Sequence, residues 1–363
     1  MAKGYIPGFK ETLKGAVLYS CGVSDMKRLI SLSLVLSLAV TLVGPIPSLQ
    51  AAPVVTAPSV ILLDPLSNRV LYSRLPHRKQ PVASTTKIVT ALLILDLLPL
   101  DHWVSTPPRM EDIPSSKIYL SEGDQLRVRD LLKATLMKSA NDAAVTLAIE
   151  AAGSEAEFAT WMTHRVQQLG ALDTRFTNAT GLPGPGQYST AYDLALIMRE
   201  AMKNKTLVSM LKQKSTVIQS AQGKRFFLKN HNKMLWQEGN VIGKTGWTRN
   251  AKHCFLGIVQ MGDRDVVVAV LGSHRLWSDL RALVGKFVYL IGGRRKYVTY
   301  GARGDDVLGL QNALKRAGFF RVKATGYFGK ETKRAVFRFQ RSRRLRVDGI
   351  AGPQTRKALS SYY

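Results

Sequence analysis

Cysteine is scarce in this chain of 363 residues, which contains only Cys21 and Cys254. Two cysteines allow at most one disulfide, so a small fold held together by a framework of disulfides is excluded. Cys254 lies in the apolar run CFLGIV, where a cysteine is most often a small buried hydrophobe. A hydrophobic core must stabilise the fold instead, and the 45% hydrophobic content is enough for one.

Acidic side chains are also few relative to basic ones. The chain has 25 Asp and Glu residues against 52 Lys and Arg residues, which gives a formal net charge of +27 at pH 7. A balance this basic indicates an anionic partner. Composition alone leaves nucleic acid, a membrane surface and an anionic cell-wall polymer open.

The N-terminal apolar run is short for a membrane span, and it fits a signal peptide better than the alternative of an uncleaved membrane anchor. In MKRLISLSLVLSLAVTLVGPIPSLQAAP, a basic start at Lys27 and Arg28 precedes a 15-residue apolar stretch from Leu29 to Val43. A span needs about 20 residues, whereas a signal peptide needs a basic start, a short apolar core and small residues at a cleavage site. We predict that residues 1–52 are a signal peptide region with the true start at Met26.

Export narrows the choice of partners. An exported protein does not meet nucleic acid, so we expect no nucleic-acid partner, and we expect no permanent membrane span after signal cleavage. The predicted location is the periplasm or the cell wall. Cleavage would also remove Cys21 and leave Cys254 as the one cysteine of the mature chain.

Residues 53–292 carry the pattern of an α+β domain. The runs SVILLD and RVLYSRL flank the turn-like PLSN and predict a hairpin. Near the other end, VIGKTGWT, KHCFLGIVQ and RDVVVAVLGS predict three more strands, the last two joined by a hairpin at residues 261–263. Helical patterns fill the interval, and LWSDLRALVGKFVYLIGG predicts a covering helix. We therefore expect one antiparallel sheet flanked by helices, with a helical subdomain inserted.

The composition changes at residues 292–296, GGRRK, and residues 297–363 predict a small, mainly helical domain. GYFGKETKRA resembles GIAGPQTRKA at an offset of 23 residues, and each copy predicts a tight turn followed by a short helix. Asp305 and Asp306 are predicted to cap an earlier helix that carries Val307, Leu310 and Leu314. Residues 294–363 hold 18 Lys and Arg residues against four acids, a net +14.

One short motif raises the question of catalysis. In PVASTTKIVTALLILD, Ser84 precedes Lys87 by three residues, and an apolar helical pattern follows. The motif has a structural explanation, in which Ser84, Thr85 or Thr86 caps a core helix and Lys87 is solvated. It also has a chemical one, because three residues along a helix bring the Lys87 amine within reach of the Ser84 hydroxyl.

Two further triplets strengthen the chemical explanation. Ser139-Ala140-Asn141 lies where two helical patterns break, and Lys244-Thr245-Gly246 opens a strand-like run. Taken alone, the first triplet is compatible with a loop and a helix cap, and the second with a turn and an exposed edge lysine. The three motifs together, in this order and in these contexts, are typical of serine acyl-transfer enzymes.

These motifs resemble those of the penicillin-interacting serine D-Ala-D-Ala peptidases and β-lactamases. PVASTTKIVTALLILD, LLKATLMKSANDAA, FTNATGLPGPGQYSTAYDLALIM and VIGKTGWT are most similar to the low-molecular-mass D-alanyl-D-alanine carboxypeptidases, over residues 53–290. The resemblance implies the DD-peptidase fold and a catalytic domain at residues 53–292. The tail resembles a peptidoglycan-binding-like domain through RGDDVLGLQNAL, GYFGKETKRAV and VDGIAGPQT.

The resemblance also implies roles for particular residues. Ser84 would be the nucleophile and Lys87 its base, and Ser139 would pass a proton to the leaving amine. Asn141 would hold the substrate amide and orient Lys87. The substrate-binding residues would be Lys244, Thr245, Gly246 and Trp247, with assistance from Arg275. The backbone N–H groups of Ser84 and Trp247 would hold the oxyanion.

The absence of one residue type argues against a β-lactamase. Class A β-lactamases activate the deacylating water with a glutamate, but no Glu occurs here between Glu157 and Glu200, so we expect no fast hydrolysis of penicillin. The resemblance to the carboxypeptidases implies removal of the terminal D-alanine from stem pentapeptides. An endopeptidase that cuts cross-links with the same residues remains the alternative, and a non-catalytic wall-binding protein would need a degraded motif.

The expected partners follow from the same resemblance. They are peptidoglycan stem peptides at the catalytic site, cell-wall glycan at the basic C-terminal domain, and β-lactams that acylate the serine. No metal and no cofactor are expected.

We expect penicillin to acylate Ser84 covalently, because the three motifs converge on that hydroxyl. Mass spectrometry of a peptide digest after incubation with penicillin would locate the adduct, with a Ser84→Ala variant as the control. A label on another residue, or none on the folded wild-type protein, would refute the assignment.

Overall fold

The computed structural model describes residues 54–237, 239–261, 264–285 and 297–362. The predicted signal peptide, the turn at residues 262–263 and the change of composition at residues 292–296 lie outside the described residues. Within the described ranges, no helix is both long enough and apolar enough to cross a membrane.

The strands are short in the inserted region and long near residue 250. Numbered in chain order, they are β1 Ser59–Leu63, β2 Val70–Arg74, β3 Trp103–Ser105, β4 Gln125–Arg127, β5 Ser215–Gln219, β6 Arg225–Lys229, β7 Val241–Thr248, β8 Lys252–Met261 and β9 Arg264–Ser273. Five of them form the central sheet in the order β2-β1-β9-β8-β7, with antiparallel neighbours throughout. The sheet therefore combines both ends of the predicted domain, as the sequence indicates.

The helices, numbered in the same way, are α1 Lys87–Leu97, α2 Val128–Lys133, α3 Asn141–Ala152, α4 Glu155–Gln168, α5 Ala191–Ala201, α6 Lys205–Lys212, α7 Lys233–Gln237, α8 over residues 276–285, α9 Asp305–Arg316, α10 Lys330–Ser342 and α11 Pro353–Ala358. Short 3-10 helices occupy Ala83–Thr86, Met110–Asp112 and Ser360–Tyr362. A π-helix occupies Ala134–Lys138. Helices and antiparallel strands together confirm the predicted α+β class.

Both faces of the central sheet are buried. Along β1, Ile61 and Leu63 pack into the large core beneath the inserted helices, whereas Val60 and Leu62 pack into a second core that includes α8. Successive side chains of a strand point to opposite faces, so one strand of five buried residues serves both cores. The described part of the predicted covering helix is α8, and it packs against the sheet as the sequence predicts.

The inserted region contains strands as well as helices. The pairs β3–β4 and β5–β6 form two separate two-stranded sheets. The predicted helical block does not include these pairs. Strands β3 and β4 have three residues each, too few for a period of two to stand out.

Residues 297–362 form a small helical segment with its own core. Val307, Leu310 and Leu314 of α9 are buried in it, as predicted. The predicted cap is wrong, since α9 starts at Asp305 and its N-cap is Gly304, without a side-chain cap. Asp305 and Asp306 instead lie in the first turn, where negative charge is favourable.

The helical segment packs against the sheet. Ile350 is 1% exposed and belongs to the second core, together with Val241 and Phe255. Arg346 Nη2 also donates to Asp265 Oδ1 of β9 over 2.6 Å. Apolar and ionic contacts therefore connect this segment to the strands that precede it.

Strand β7 makes a close approach to the 3-10 helix that precedes α1. An ideal Cβ on Gly246 would lie 2.8 Å from the Ser84 backbone nitrogen and 3.0 Å from the Ala83 Cβ. Real Cβ atoms do not approach other heavy atoms closer than 3.0 Å, so glycine is required for β7 to pass this close to Ser84.

We expect Gly246→Ala to lower the free energy of unfolding by about 1–3 kcal/mol, the usual cost of overpacking. Gly285→Ala is the matched control, because an added methyl there meets nothing within 4 Å. Urea unfolding of both variants measures the difference. Equal stability of the two variants would show that β7 is free to move away from Ser84.

Candidate active site

Ser84 lies in the 3-10 helix Ala83–Thr86, and Lys87 is the first residue of α1. Lys87 Nζ and Ser84 Oγ lie 3.0 Å apart, at hydrogen-bond distance: a charged Lys87 donates to this oxygen, and a neutral Lys87 can accept from its hydroxyl. Ser84 is half-buried and reachable, whereas Lys87 is fully buried. The structural explanation is therefore wrong for both residues: Lys87 is not solvated, and neither Ser84 nor the N-cap Thr86 makes a side-chain cap.

Two other oxygens accept from the Lys87 amine. Asn141 Oδ1 and the Thr180 carbonyl each lie 2.7 Å from Lys87 Nζ. A neutral amine has two N–H donors and one lone pair. The two carbonyl oxygens can take both hydrogens, which leaves the lone pair directed at the Ser84 hydroxyl. This geometry suits a base that accepts the Ser84 proton.

The surroundings favour the neutral form of Lys87. Burial lowers the pKa of this amine well below its usual value, and the positive charge of Lys244 lowers it further. The negative charges of Glu155 and Asp142 act in the opposite direction without cancelling the shift. An amine whose neutral form is favoured in this way can remove a proton.

Ser139 and Asn141 come from the junction between two helices. The π-helix Ala134–Lys138 ends at Ser139, whose φ of 64° is left-handed, and Asn141 then begins α3. Asn141 Nδ2 donates to the Pro114 carbonyl over 2.8 Å. That bond fixes the amide orientation, so its oxygen faces Lys87. π-Turns are rare in helices and are frequent at functional sites.

Lys244 of β7 is the second buried lysine. Its Nζ donates to Ser139 Oγ over 2.9 Å and to the Thr245 carbonyl over 2.7 Å. Burial lowers the pKa of Lys244 to about 7. The alternative of an exposed edge lysine is therefore wrong. The structure brings Ser84, Lys87, Ser139, Asn141 and Lys244 into one cluster with two hydrogen-bonded groups: Lys87 with Ser84 and Asn141, and Lys244 with Ser139.

The remaining part of the third motif lies at the edge of the sheet. Strand β7 ends the strand order, so one of its sides lacks a neighbour within the described sheet. Thr245 is half-buried, and Trp247 is 60% exposed near His253, at 6.3 Å between ring centroids. An open edge can accept an extended peptide by strand addition.

Arg275 lies apart from the cluster. It lies two residues after β9, which is separated from β7 by β8. Its described hydrogen bonds are made by its backbone: the nitrogen donates to Thr56 Oγ1 and Ser273 Oγ, and the carbonyl accepts from the Asp279 nitrogen. The side chain is exposed. Arg275 is at the end of the sheet that carries Trp247, since Trp247 pairs with His253 and His253 with Ser273.

One contact of the Lys87 amine has no signal in the sequence, because it is made by the backbone carbonyl of Thr180 and not by a side chain. The Thr180 carbonyl belongs to a turn in which Asn178 Oδ1 accepts from the Gly181 nitrogen over 2.7 Å. Gly181 has a φ of +78°, and a Cβ there would lie within 2 Å of the Ala83 carbonyl oxygen. The segment NATG, which the sequence singles out only by resemblance, thus packs against the 3-10 helix that contains Ser84.

Glu155 is a second contributor that the sequence does not reveal. Its Oε1 accepts from the Ala179 nitrogen over 2.9 Å, one residue before the Thr180 carbonyl that contacts Lys87. Burial raises the pKa of this carboxyl, although the Ala179 hydrogen bond lowers it. Glu155 therefore supports the loop that holds Lys87, with one oxygen engaged by the backbone.

Comparison with known proteins agrees with this geometry. The model of the D-alanyl-D-alanine carboxypeptidase family matches residues 47–275, and that of a putative peptidoglycan binding domain matches residues 303–359. A D-alanyl-D-alanine carboxypeptidase of Bacillus subtilis is 32% identical over 223 residues, which are 60% of this chain and 57% of that protein. The chain thus spans less than two thirds of that relative.

Two further similarities concern an endopeptidase and a solved structure. A D-alanyl-D-alanine endopeptidase of Escherichia coli is 30% identical over 243 residues, which are 64% of this chain and 77% of that protein. The structure of a D-alanyl-D-alanine carboxypeptidase from Mycobacterium tuberculosis superposes with a TM-score of 0.63 at 30% identity. It covers 69% of this chain and 97% of that one.

We expect the rate of Ser84 acylation by penicillin to rise with pH as Lys87 loses its proton. In Lys244→Ala this rise should move to higher pH, because removal of the neighbouring positive charge raises the pKa of Lys87. Stopped-flow acylation across pH measures both curves. Lys203→Ala, an exposed lysine paired with Glu200, is the control. An unmoved curve in Lys244→Ala would contradict the coupling.

Proposed function

Because the chain belongs to the D-alanyl-D-alanine carboxypeptidase family, we propose that it removes the terminal D-alanine from peptidoglycan stem pentapeptides through an acyl-enzyme on Ser84. The observation that carries the proposal is the set of three oxygen atoms around the Lys87 amine. Two carbonyl oxygens and the Ser84 hydroxyl surround a buried amine. That arrangement makes a serine hydroxyl a usable nucleophile.

Acylation begins when Lys87 takes the Ser84 proton and Oγ attacks the carbonyl carbon of the penultimate D-alanine. The negative charge that develops on the carbonyl oxygen is held by the backbone N–H groups of Ser84 and Trp247. One such donor is typically worth about 2.7–4 kcal/mol in the transition state. The close approach of β7 to Ser84 supports this pairing of amides from two elements.

The C–N bond then breaks, and its electron pair remains on the leaving amine. The proton that Lys87 took from Ser84 reaches that nitrogen through Ser139, whose hydroxyl oxygen accepts from Lys244 and is oriented by it. Lys87 is then neutral again and Lys244 keeps its charge. In the second half of the reaction Lys87 takes a proton from water as the water oxygen attacks the ester carbon, and it returns this proton to Ser84 Oγ. The other proton of water leaves with the new carboxyl group. The products are a tetrapeptide stem and free D-alanine.

Lys244 and Thr245 bind the terminal carboxylate in this proposal. A bound carboxylate favours the charged form of Lys244, whose pKa burial lowers to about 7 in the free protein. Arg275, which lies two strands away at the same end of the sheet, adds positive charge. Asn141 has one amide oxygen on Lys87 and also contacts the substrate backbone.

A related activity uses the same residues. The Escherichia coli relative that matches 64% of this chain is named an endopeptidase. Cleavage of a cross-link differs only in the leaving group, which is a second stem peptide rather than free D-alanine. The pocket for the leaving group decides between the two activities.

The remaining parts of the proposal concern location and attachment. Residues 1–52 act as a signal peptide region, so the mature chain works in the periplasm or the cell wall. Residues 53–292 form the catalytic domain, and residues 297–363 bind cell-wall glycan. The match to a peptidoglycan binding domain at residues 303–359 and the excess of Lys and Arg there support this division.

Two substrates test the proposed reaction. Purified protein is incubated with a stem pentapeptide and, separately, with a cross-linked muropeptide dimer, and the products are separated by liquid chromatography. Release of D-alanine from the pentapeptide at a higher kcat/KM than dimer cleavage is expected. Preferred cleavage of the dimer would replace the carboxypeptidase with the endopeptidase, and inactivity on both would overturn the proposal.

The penicilloyl-enzyme should persist far longer than the acyl-enzyme formed with the natural peptide. The sequence offers no glutamate between residues 157 and 200 to activate water, and Glu155 has an oxygen engaged by the Ala179 nitrogen. Intact mass spectrometry over time after removal of free penicillin measures the decay. Rapid turnover of many equivalents of penicillin would indicate a β-lactamase instead.

A further inference from the structure

A cavity of about 620 Å³ opens beside the catalytic cluster. Its wall includes Lys138, which immediately precedes Ser139, and His231, whose backbone nitrogen donates to the Met137 carbonyl over 3.1 Å. The positive charges of Lys244 and Lys138 help burial to lower the pKa of His231 to about 4. The cavity therefore begins within the electrostatic reach of the proposed carboxylate-binding lysine.

A second cavity, of about 570 Å³, adjoins the first. Trp236 and Gln237 line both cavities, so the two meet at the end of α7. Trp236 is 40% exposed, and its Nε1 donates to the Asn230 carbonyl over 3.0 Å. A fixed and exposed indole thus stands between the two spaces.

The walls of the second cavity come from two distant parts of the chain. Trp236 and Arg281 belong to the predicted catalytic domain, whereas Tyr300, Lys330 and Phe337 belong to the helical segment at residues 297–362. Contacts between the helical segment and the predicted catalytic domain form the cavity. Lys333 Nζ donates to the Gln237 carbonyl over 3.0 Å and lies over the Tyr300 and Phe337 rings.

The charge of the lining is one-sided. Lys138, Lys229 and Lys233 line the first cavity, and Arg281, Lys330, Lys333 and Arg334 line the second. No Asp or Glu among the described residues lines either cavity, although Arg334 pairs with Glu331 nearby. The ligand that fits carries several negative charges and also apolar faces that pack on aromatic rings.

We propose that the two cavities form one composite cleft that binds a peptidoglycan strand between the helical segment and the catalytic serine. Carboxylates of the stem peptides pair with the lysines and arginines, and sugar rings pack on Trp236, Tyr300 and Phe337. This inference rests on the proposed function and extends it, because residues of both parts of the chain bind the same strand. The helical segment is then one wall of a binding site and not an independent anchor.

The test uses the full chain with Ser84→Ala, so that binding is measured without hydrolysis. Soluble glycan strands carrying pentapeptide stems are the probe, and affinity is measured by calorimetry at about 0.15 M salt, where the screening length is roughly 8 Å. Arg281→Glu and Trp236→Ala alter the catalytic side of the cleft, and Lys330→Glu alters the other side. Lys315→Glu is the matched control, because this exposed lysine of α9 is outside both cavities.

Each cleft variant should weaken strand binding by about fivefold, the upper value for one exposed ion pair and the usual threshold for an important aromatic contact. Lys315→Glu should bind like the parent protein. Lys330 is the first residue of α10, where an acidic residue is favourable, so this variant should fold. Trp236→Phe keeps an aromatic ring at this position, and thermal unfolding shows whether Trp236→Ala is still folded. Together they separate the effect of the lost ring from the effect of a lost fold.

Three results would overturn the composite cleft. The first is unchanged binding in all cleft variants, and the second is weaker binding in Lys330→Glu alone, which would make the helical segment the sole binder. The third is cleft-dependent binding of poly(glycerol phosphate) without binding of glycan strands. Hydrolysis of a free pentapeptide by the wild-type protein reports separately on the proposed function, because that substrate carries no strand.

Discussion

The buried amine of Lys87 is the constraint on which the rest of the site depends. Its three oxygen partners come from three separate segments: the turn at Ser84, the start of α3 at Asn141, and the loop at Thr180. Burying a charged ammonium costs several kcal/mol, so the fold favours the neutral amine at this position. The same burial disfavours the protonated amine, and the proposed reaction requires this of its base.

A second buried lysine intensifies this effect. Lys244 and Lys87 belong to the same cluster, and the positive charge of Lys244 lowers the pKa of Lys87. Burial lowers the pKa of both amines. In the proposed reaction, a substrate carboxylate stabilises the charge on Lys244. The proposed function therefore links substrate binding electrostatically to the protonation of Lys87.

The sequence predicts the strands of the central sheet and the side chains of the cluster. It does not predict the backbone contacts that hold these parts together. Alternation and apolar runs predict β1, β2 and β7 to β9, and the three motifs name every side chain in the hydrogen-bonded cluster. The Thr180 carbonyl escapes prediction because a backbone oxygen has no side-chain signature. The packing role of Gly246 escapes it as well, because contact with Ser84 arises only when β7 and the 3-10 helix are brought together. The catalytic roles of the side chains in the three motifs remain predictions.

The π-helix at Ala134–Lys138 has a consequence for the register of the chain. A π-turn closes hydrogen bonds one residue later than an α-turn, and each residue of an α-helix advances about 100° around the axis. The extra residue thus acts as a phase shift between α2 and α3, each of which retains its own buried face. Loss of a single residue from this segment would rotate Ser139 by about 100° relative to α2. The length of the segment therefore sets the direction in which the Ser139 hydroxyl faces Lys244.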